Sequence, residues 1–151
     1  MFISVHLQPG GGAAATRRRA QELGAIHDWI DGQAGAERDF VILSDMNIED
    51  CDELADVVRV GWVSLNSECR PTNTNINGPK PYDHILLNTR DTRAEIPPDV
   101  FILDLLAYME PRWSGPDACP GRPYRHDRFR QIYSDHHPVV FDLIVDGVDD
   151  D

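Results

Sequence analysis

The chain has 151 residues, a formal net charge of -12 and a pI of about 4.7, which fits one domain with its own hydrophobic core. This acidity does not suit a strong nonspecific grip on a nucleic-acid backbone, which needs clustered cations, but it suits a site that gathers Mg²⁺ or Ca²⁺. No apolar run approaches membrane-spanning length and no secretory signal precedes Phe2, so we expect a cytoplasmic protein without a transmembrane segment.

Strand and helix signals alternate in the first third of the chain. Residues 2–7 alternate apolar and polar side chains and predict a strand, which Pro9 and the following glycines end. Thr16 can cap a helix that continues to about Asp31. One face of this helix is apolar and carries Leu23, Ile26 and Ile30. The opposite face can contact water and carries Arg17, Arg18, Glu22 and Asp28. Residues 39–44 then predict a strand buried on both faces, because four apolar residues follow one another.

The rest of the chain continues this alternation. The further predicted elements are, in chain order, a short helix at 51–58, extended chain at 60–65, a loop at 66–81, a strand at 85–88, a strand or helix at 100–106, a helical turn at 126–133, a last strand at 139–145 and an acidic tail at 146–151. Such alternation is typical of an α/β domain. We therefore expect one α/β domain over residues 1–145, followed by a solvated tail.

The three cysteines, Cys51, Cys69 and Cys119, are odd in number and widely spaced. Because no CxxC pair exists, the pattern argues against a structural zinc site. Reduced thiols are the default expectation, and one disulfide is the alternative.

Three segments place acidic or imidazole side chains at the end of an apolar, strand-like run. They are Ser44–Asp45–Met46–Asn47, Tyr82–Asp83–His84 and Ser134–Asp135–His136–His137. A rigid sheet can aim such groups into one cleft. Oxygen and imidazole groups brought together in this way indicate a divalent-metal site acting on a phosphate ester.

Each of these groups also has a purely structural interpretation. Asp45 and Asn47 are two residues apart, so both side chains can hold a cation and a phosphoryl oxygen, or they can close an Asx turn. Asp83 can orient an imidazole or only begin a strand. One imidazole beside Asp135 can act as a general base or donate to phosphate, and we expect His137 to be merely exposed. A lone strand histidine such as His6 is more often part of a core than a ligand.

The segment from Glu110 to Ser134 mixes arginines and aromatic residues. Five arginines face three acids there, and Trp113, Tyr124, Phe129 and Tyr133 are interleaved. It can be a substrate-facing loop in which arginine binds phosphate and aromatic rings stack bases, or a surface loop anchored by its aromatic residues.

In this order, the motifs resemble those of the endonuclease/exonuclease/phosphatase superfamily, whose members have the DNase I-like fold. The matching segments are Ser4–Val5–His6–Leu7, Ser44–Asp45–Met46–Asn47, Tyr82–Asp83–His84–Ile85 and Ser134–Asp135–His136–His137–Pro138–Val139. The resemblance implies a DNase I-like α/β sandwich, here as a partial fold with one sheet and flanking helices. It also implies hydrolysis of a phosphate ester by activated water with Mg²⁺, Mn²⁺ or Ca²⁺.

The resemblance also implies roles for individual residues. His136 would be the catalytic histidine and Asp83 its carboxylate partner. Asp45 would position the nucleophile or bind metal beside Asp135. The residues implied to hold the phosphate or line the cleft are Asn47, His6, Thr72 and Asn73.

The family's earlier half carries an asparagine and a metal-binding glutamate that have no counterpart here, since Glu22 and Glu49 are wrongly placed. The chain therefore resembles the C-terminal half of such a domain, and we expect an uncovered sheet face that pairs with a second copy or with the missing half. Two alternatives remain. One is a catalytically degenerate half-domain that acts as a binding module. The other is a zinc protein that uses Cys119, His126, His136 and His137.

Overall fold

The computed structural model describes residues 1–33, 39–92, 95–112 and 124–144. The strands in these ranges are β1 (Phe2–His6), β2 (Val41–Asp45), β3 (Trp62–Ser64), β4 (Asp83–Asn88), β5 (Phe101–Ile102) and β6 (Val139–Val140). The helices are α1 (Ala13–Asp31), α2 (Cys51–Val57), α3 (Leu105–Met109), which runs into a 3₁₀ turn at Glu110–Arg112, and α4 (His126–Ile132). The predicted tail at 146–151, Cys119 and Trp113 lie outside the described residues.

The main sheet has four strands in the order β1-β2-β4-β3. β1 and β2 are parallel and α1 connects them, while β4 is antiparallel to both β2 and β3. β5 and β6 form a separate antiparallel pair. A parallel pair needs a crossover connection, and α1 supplies it. The predicted α/β class, with a sheet and flanking helices, is confirmed, and the β5–β6 pair is added to the single sheet that was expected.

Two apolar clusters cover the two faces of the main sheet. On one face, Ile42 and Leu86 pack with Leu23 of α1 and Leu54 of α2. On the other face lies a smaller cluster, whose members are Val41, Leu65, Ile85, Leu87, Ile96 and Val100, with Leu43, Val139 and Phe141 at its margin. Because both faces of β2 are covered, its run of apolar residues is explained.

Several predicted boundaries are wrong, and two of them have a clear physical reason. α1 begins at Ala13 and Thr16 lies inside it, because Gly12, with a φ of 83°, turns the chain into the helix and accepts hydrogen bonds from the amides of residues 15 and 16. Only glycine adopts this backbone conformation at no steric cost. The last strand is Val139–Val140 instead of the predicted 139–145, since the chain leaves β5 there and Ile144 donates its N–H to the carbonyl of Glu95. No helix in the described ranges is both long and apolar enough to span a bilayer.

The default expectation of reduced thiols is wrong for two of the three cysteines. Cys51 and Cys69 form a disulfide whose Cα atoms are 5.7 Å apart. The bond joins the first residue of α2 to the loop that follows β3. Disulfides persist mainly in oxidising compartments, so this bond does not support the expected cytoplasmic location.

Two histidines are buried in the body of the fold. His84 and His27 are each 1% exposed, and within the described residues the Nε2 atoms of both lack a hydrogen-bond partner. The Nδ1 atom of His84 lies 2.8 Å from the hydroxyl of Ser64. Burial lowers the pKa of each imidazole to about 4. Both are therefore neutral at physiological pH.

This burial predicts an acid-sensitive contribution to stability. The unfolded chain titrates near pH 6.5 and the folded His84 near 4, so the unfolded state binds more protons in that window and the free energy of unfolding falls as pH drops. We expect the stability of the wild type relative to His84→Gln to fall by on the order of 3 kcal/mol between neutral pH and about pH 4. Urea denaturation across this range measures it. The control is His126→Gln at a half-buried position, and a constant difference would contradict the prediction.

Candidate active site

Three of the predicted site residues lie in one row across the main sheet. His6 is paired with Asp45 in the β1–β2 register, and Asp45 is paired with Asp83 in the β2–β4 register. Asp45 and Asp83 belong to their strands, whereas the sequence placed them just beyond a strand end or just before one. Alternation along the strands points all three side chains to the face opposite α1 and α2. There a cavity of about 310 Å³ opens beside Asp45 and Asp83.

His136 reaches this row from the other end of the chain. Asn73 and His136 form an isolated antiparallel bridge, and the N–H of His136 donates to the hydroxyl of Ser134. Its Nδ1 lies 2.7 Å from Oδ2 of Asp83, and its Nε2 lies 3.5 Å from Oδ2 of Asp45. In the neutral imidazole, Nδ1–H therefore donates to Asp83 and the lone pair of Nε2 faces Asp45.

The surroundings of His136 and Asp45 shift the pKa values of both side chains. The hydrogen bond with Asp83 raises the pKa of His136 against the opposing effect of burial, and the negative charges of Asp83, Asp45 and Asp135 raise it further. Burial raises the pKa of the Asp45 carboxyl, while the charge of His136 and a hydrogen bond from the N–H of Asn47 act in the opposite direction. The site therefore stabilises the protonated forms of both the His136 imidazole and the Asp45 carboxyl.

The same residues offer ligands for a metal ion. In the part of the chain that the structure describes, one ligand atom each from Asp45, Asp83 and His136 lie within 4.8 Å of one another. Carboxylate oxygens suit hard divalent cations, so the donor set fits such an ion. Asp135, which the sequence also predicted to bind metal, is exposed and is not a member of this group. Its carbonyl accepts a hydrogen bond from the N–H of Thr74.

The segment Asp45–Met46–Asn47 forms the Asx turn that the sequence allowed and still leaves one carboxylate oxygen facing the site. Oδ1 of Asp45 accepts the N–H of Asn47 at 3.1 Å, which is an Asx turn. Asn47 has a φ of 52°, and its Nδ2 donates to the carbonyl of Leu7. The turn leaves Oδ2 of Asp45 for the two histidines, His6 and His136.

Thr72 and Asn73 support the site through the backbone. Thr72 is fully buried and its hydroxyl accepts the N–H of Asp83 at 2.9 Å. The side-chain oxygen of Asn73 accepts the N–H of Lys80, and its Nδ2 donates to the carbonyl of Gly78. The polar atoms predicted to line a cleft thus hold the loop that leads into β4.

His6 and His137 do not have the structural roles that the sequence suggested for them. The side chain of His6 is 66% exposed and its Nε2 lies 3.4 Å from Oδ2 of Asp45, so it is not part of a core. His137 is half-buried and its Nδ1 accepts the N–H of Leu105, so it is not merely exposed. This bond and the pairing of His136 with Asp83 engage the Nδ1 atoms of both histidines, so the zinc alternative would have to use their Nε2 atoms.

The sequence analysis missed a buried ion pair behind the site. Arg19 is fully buried and donates to Oε1 of Glu53, and its Nη1 also donates to the carbonyls of Gln8 and Gly10. Oε2 of Glu53 accepts the N–H of Glu49. Arg19 and Glu53 therefore hold the two segments that follow His6 and Asn47. The signal was present, because Arg19 lies one helical turn before Leu23 on the buried stripe of α1.

A second ion pair extends this network to the loop before β4. Nζ of Lys80 lies 3.4 Å from Oε2 of Glu49, and the carbonyl of Lys80 accepts the N–H groups of Thr72 and Asn73. Beside it, the ring of Tyr82 lies 5.9 Å from that of His136, and burial raises the pKa of its hydroxyl. Tyr82 is thus a neutral group at the edge of the site.

Comparisons with known proteins identify the fold. No protein-family model matches the chain, and no curated protein matches it. A solved structure of a mannosyl-6-phosphatase from Bacteroides thetaiotaomicron aligns with a TM-score of 0.54 at 15% identity, over 95% of this chain and 50% of that one. A humanized D. rerio TDP2 carrying 14 mutations aligns with a TM-score of 0.44 at 15% identity, over 68% of this chain and 46% of that one. The chain spans about half the length of these proteins, and its likeness to the phosphatase agrees with the expected partial DNase I-like fold.

Proposed function

We propose that this chain is part of a divalent-metal-dependent phosphoesterase, a phosphodiesterase or nuclease that hydrolyses a phosphate ester with activated water. The observation that carries the proposal is the convergence of Asp45, Asp83 and His136 within 4.8 Å at one end of the sheet. The fold likeness to a phosphatase supports the same reaction class. Because fold alone does not fix function, the argument depends on the site.

The proposed mechanism uses the hydrogen bonds of the row. His136, with Nδ1–H held by Asp83, takes a proton from the attacking water or donates to the scissile phosphate through Nε2. Asp45, whose Oδ2 faces Nε2, positions that water or binds metal. Asn47 and the exposed His6 contact the phosphoryl oxygens, where charge develops in the transition state.

The metal is proposed to lie at Asp45 and Asp135, with Mg²⁺ favoured over Mn²⁺ and Ca²⁺. When bound, it polarises a phosphoryl oxygen and stabilises the negative charge that develops. Thr72 and Asn73 are proposed to shape the substrate cleft from the loop that holds Asp83. The catalytic unit is proposed to be residues 1–145, with residues 146–151 as a tail.

A panel of substrates tests the proposal. The full chain is incubated with bis-p-nitrophenyl phosphate, p-nitrophenyl phosphate and a plasmid, in the presence of Mg²⁺ or of EDTA. Hydrolysis that requires Mg²⁺ and is lost in Asp45→Asn is the expected result, because the variant removes a charged ligand while keeping the shape. The control is Asp31→Asn on α1, an exposed carboxylate paired with Arg59. Hydrolysis that persists in EDTA, or that Asp45→Asn does not reduce, contradicts the proposal.

The second candidate is a catalytically degenerate half-domain that binds another polypeptide. The observation in its favour is a set of exposed apolar side chains on and around the β5–β6 pair, whose members are Phe2, Phe101, Val140, Leu143 and Ile144. An exposed patch of this kind marks an interaction surface. The proposed occupants are a second copy or a segment equivalent to the family's earlier half. Light scattering that shows a dimer, with no hydrolysis in the panel above, would favour this candidate.

A further inference from the structure

An open cleft lies at the far end of the loop that holds Asp83. Its volume is about 640 Å³, and its walls are the turn at 75–77 and the first residues of α4. The lining residues used below are Asn75, Asn77, Tyr124, Arg125, His126 and Arg128. His6, Asp45, Asp83 and His136 are not among them.

The cleft is cationic within an acidic protein. Residues 125–130 contain Arg125, Arg128 and Arg130 against one acid, Asp127, which is a local formal charge of +2, whereas the whole chain carries -12. Asp127 also lines the cleft, but its Oδ1 lies 3.0 Å from Nη2 of Arg130. Its charge is therefore already paired.

Arg125 and the two asparagines supply donors to this cleft. Among the described residues, the guanidinium of Arg125 makes no hydrogen bond or ion pair, and its backbone carbonyl accepts the N–H groups of residues 128 and 129. The fixed backbone carries a side chain whose five N–H donors match the oxygens of a phosphate. The amides of Asn75 and Asn77 on the opposite wall add neutral donors.

Hydrogen bonds connect the wall of the cleft to the segment that carries His136. The hydroxyl of Tyr124 donates to the carbonyl of Thr74. The N–H and hydroxyl of Thr74 donate to the carbonyls of Asp135 and Ser134, at 2.8 and 3.0 Å. The neighbouring Asn73 is bridged to His136.

The spacing between His136 and the cleft suits a single ligand that spans both. Asn75 lies two residues from Asn73 along the chain, so their Cα atoms are at most about 7 Å apart. A single molecule with two anionic groups can therefore reach His136 with one and the cleft with the other.

We propose that this cleft binds a second phosphate group of the substrate molecule, so that the preferred substrates carry two phosphates instead of one. The inference rests on the proposed function, because the first phosphate is the one placed at His136. Arginine binds phosphate through paired, charge-assisted hydrogen bonds, which are stronger than those between neutral groups. The shared chemistry is the second phosphate, whether an oligonucleotide or a sugar bisphosphate carries it.

Calorimetric titration tests this inference. The full chain, in EDTA so that no metal-dependent hydrolysis occurs, is titrated with thymidine 5′-monophosphate, with a 5′-phosphorylated thymidine dinucleotide and with fructose 1,6-bisphosphate. We expect one or both two-phosphate ligands to bind about tenfold more tightly than the monophosphate, and Arg125→Gln to abolish that advantage. Tighter binding of the dinucleotide indicates a nucleic acid as the source of the second phosphate, and tighter binding of fructose 1,6-bisphosphate indicates a small molecule.

Arg17→Gln is the matched control, because Arg17 is exposed, lies on α1 and does not line the cleft. It should leave both affinities unchanged. The inference is overturned if two phosphates bind no better than one, if no ligand binds, or if the two arginine variants weaken binding equally. Hydrolysis by the same chain in Mg²⁺ is measured separately. A cleft that selects two phosphates in a protein without hydrolysis would refute the proposed function alone.

Discussion

Replacing His136 with alanine is expected to lower kcat for phosphate-ester hydrolysis about a thousandfold, since a positioned acid–base group contributes about 10²–10⁴ in rate. The reason is geometric, because its imidazole contacts both carboxylates of the row, with Nδ1 2.7 Å from Asp83 and Nε2 3.5 Å from Asp45. Initial rates on bis-p-nitrophenyl phosphate in Mg²⁺ measure the effect. The neighbouring His137→Asn is the control, because that imidazole accepts the N–H of Leu105, and it should change the melting temperature more than kcat.

The Asp83→Asn variant separates a catalytic role from a structural one. Asp83 raises the pKa of His136 by its hydrogen bond and its charge, so removing the charge lowers that pKa. The limb of the pH–rate profile that reports His136 should therefore move to lower pH. A direct measurement follows the imidazole carbon-bound proton of His136 by NMR during a pH titration, without metal or substrate. An unchanged titration midpoint would show that the 2.7 Å contact does not couple the two groups.

Arg19→Met is expected to give the largest loss of stability, about 3–5 kcal/mol in the free energy of unfolding. Removing one partner of a buried ion pair leaves the other charge buried and unpaired, which is the source of this cost. Here Glu53 is 8% exposed and Arg19 is fully buried, and two backbone carbonyls at Gln8 and Gly10 lose their donor as well. Urea denaturation at neutral pH measures the loss.

Two further variants make this prediction specific. Arg18→Met, one residue earlier, removes an exposed pair with Glu22 and should cost at most about 0.5 kcal/mol. The double variant Arg19→Met/Glu53→Leu should recover part of the loss, because it removes both buried charges. Equal destabilisation by Arg18→Met and Arg19→Met would refute the role given to the buried pair.

The convergence of Asp45, Asp83 and His136 was predictable because each follows or precedes a recognisable strand pattern. The alternation that marks a strand also fixes which side chains share a face. The two carboxylates proved to lie inside β2 and β4, since the pairing of Asp45 with His6 and with Asp83 extends both strands. Pairing of this kind involves residues distant in the sequence, and local patterns do not reveal it.

Other features depended on contacts that the sequence does not encode locally. Helical spacing from Leu23 singles out Arg19 among Arg17, Arg18 and Arg19, but it does not show that Glu53, 34 residues away, is its partner. The separation of 18 residues between Cys51 and Cys69 does not show that their Cα atoms lie 5.7 Å apart. The cleft beside Arg125 arises because Tyr124 is anchored to Thr74, 50 residues away in the chain.

The placement of His6, Asp45 and Asp83 in one transverse row has a consequence for how such a protein can diverge. The spacing across the row is set by hydrogen-bonded strands about 4.8 Å apart, so it does not depend on side-chain flexibility. Successive side chains of a strand point to opposite faces, and inserting a single residue between Val41 and Asp45 would turn the carboxylate of Asp45 toward α1 and α2. New specificities can therefore arise by exchanging side chains or by altering the loops between strands, whereas an odd change in strand length would eliminate the site.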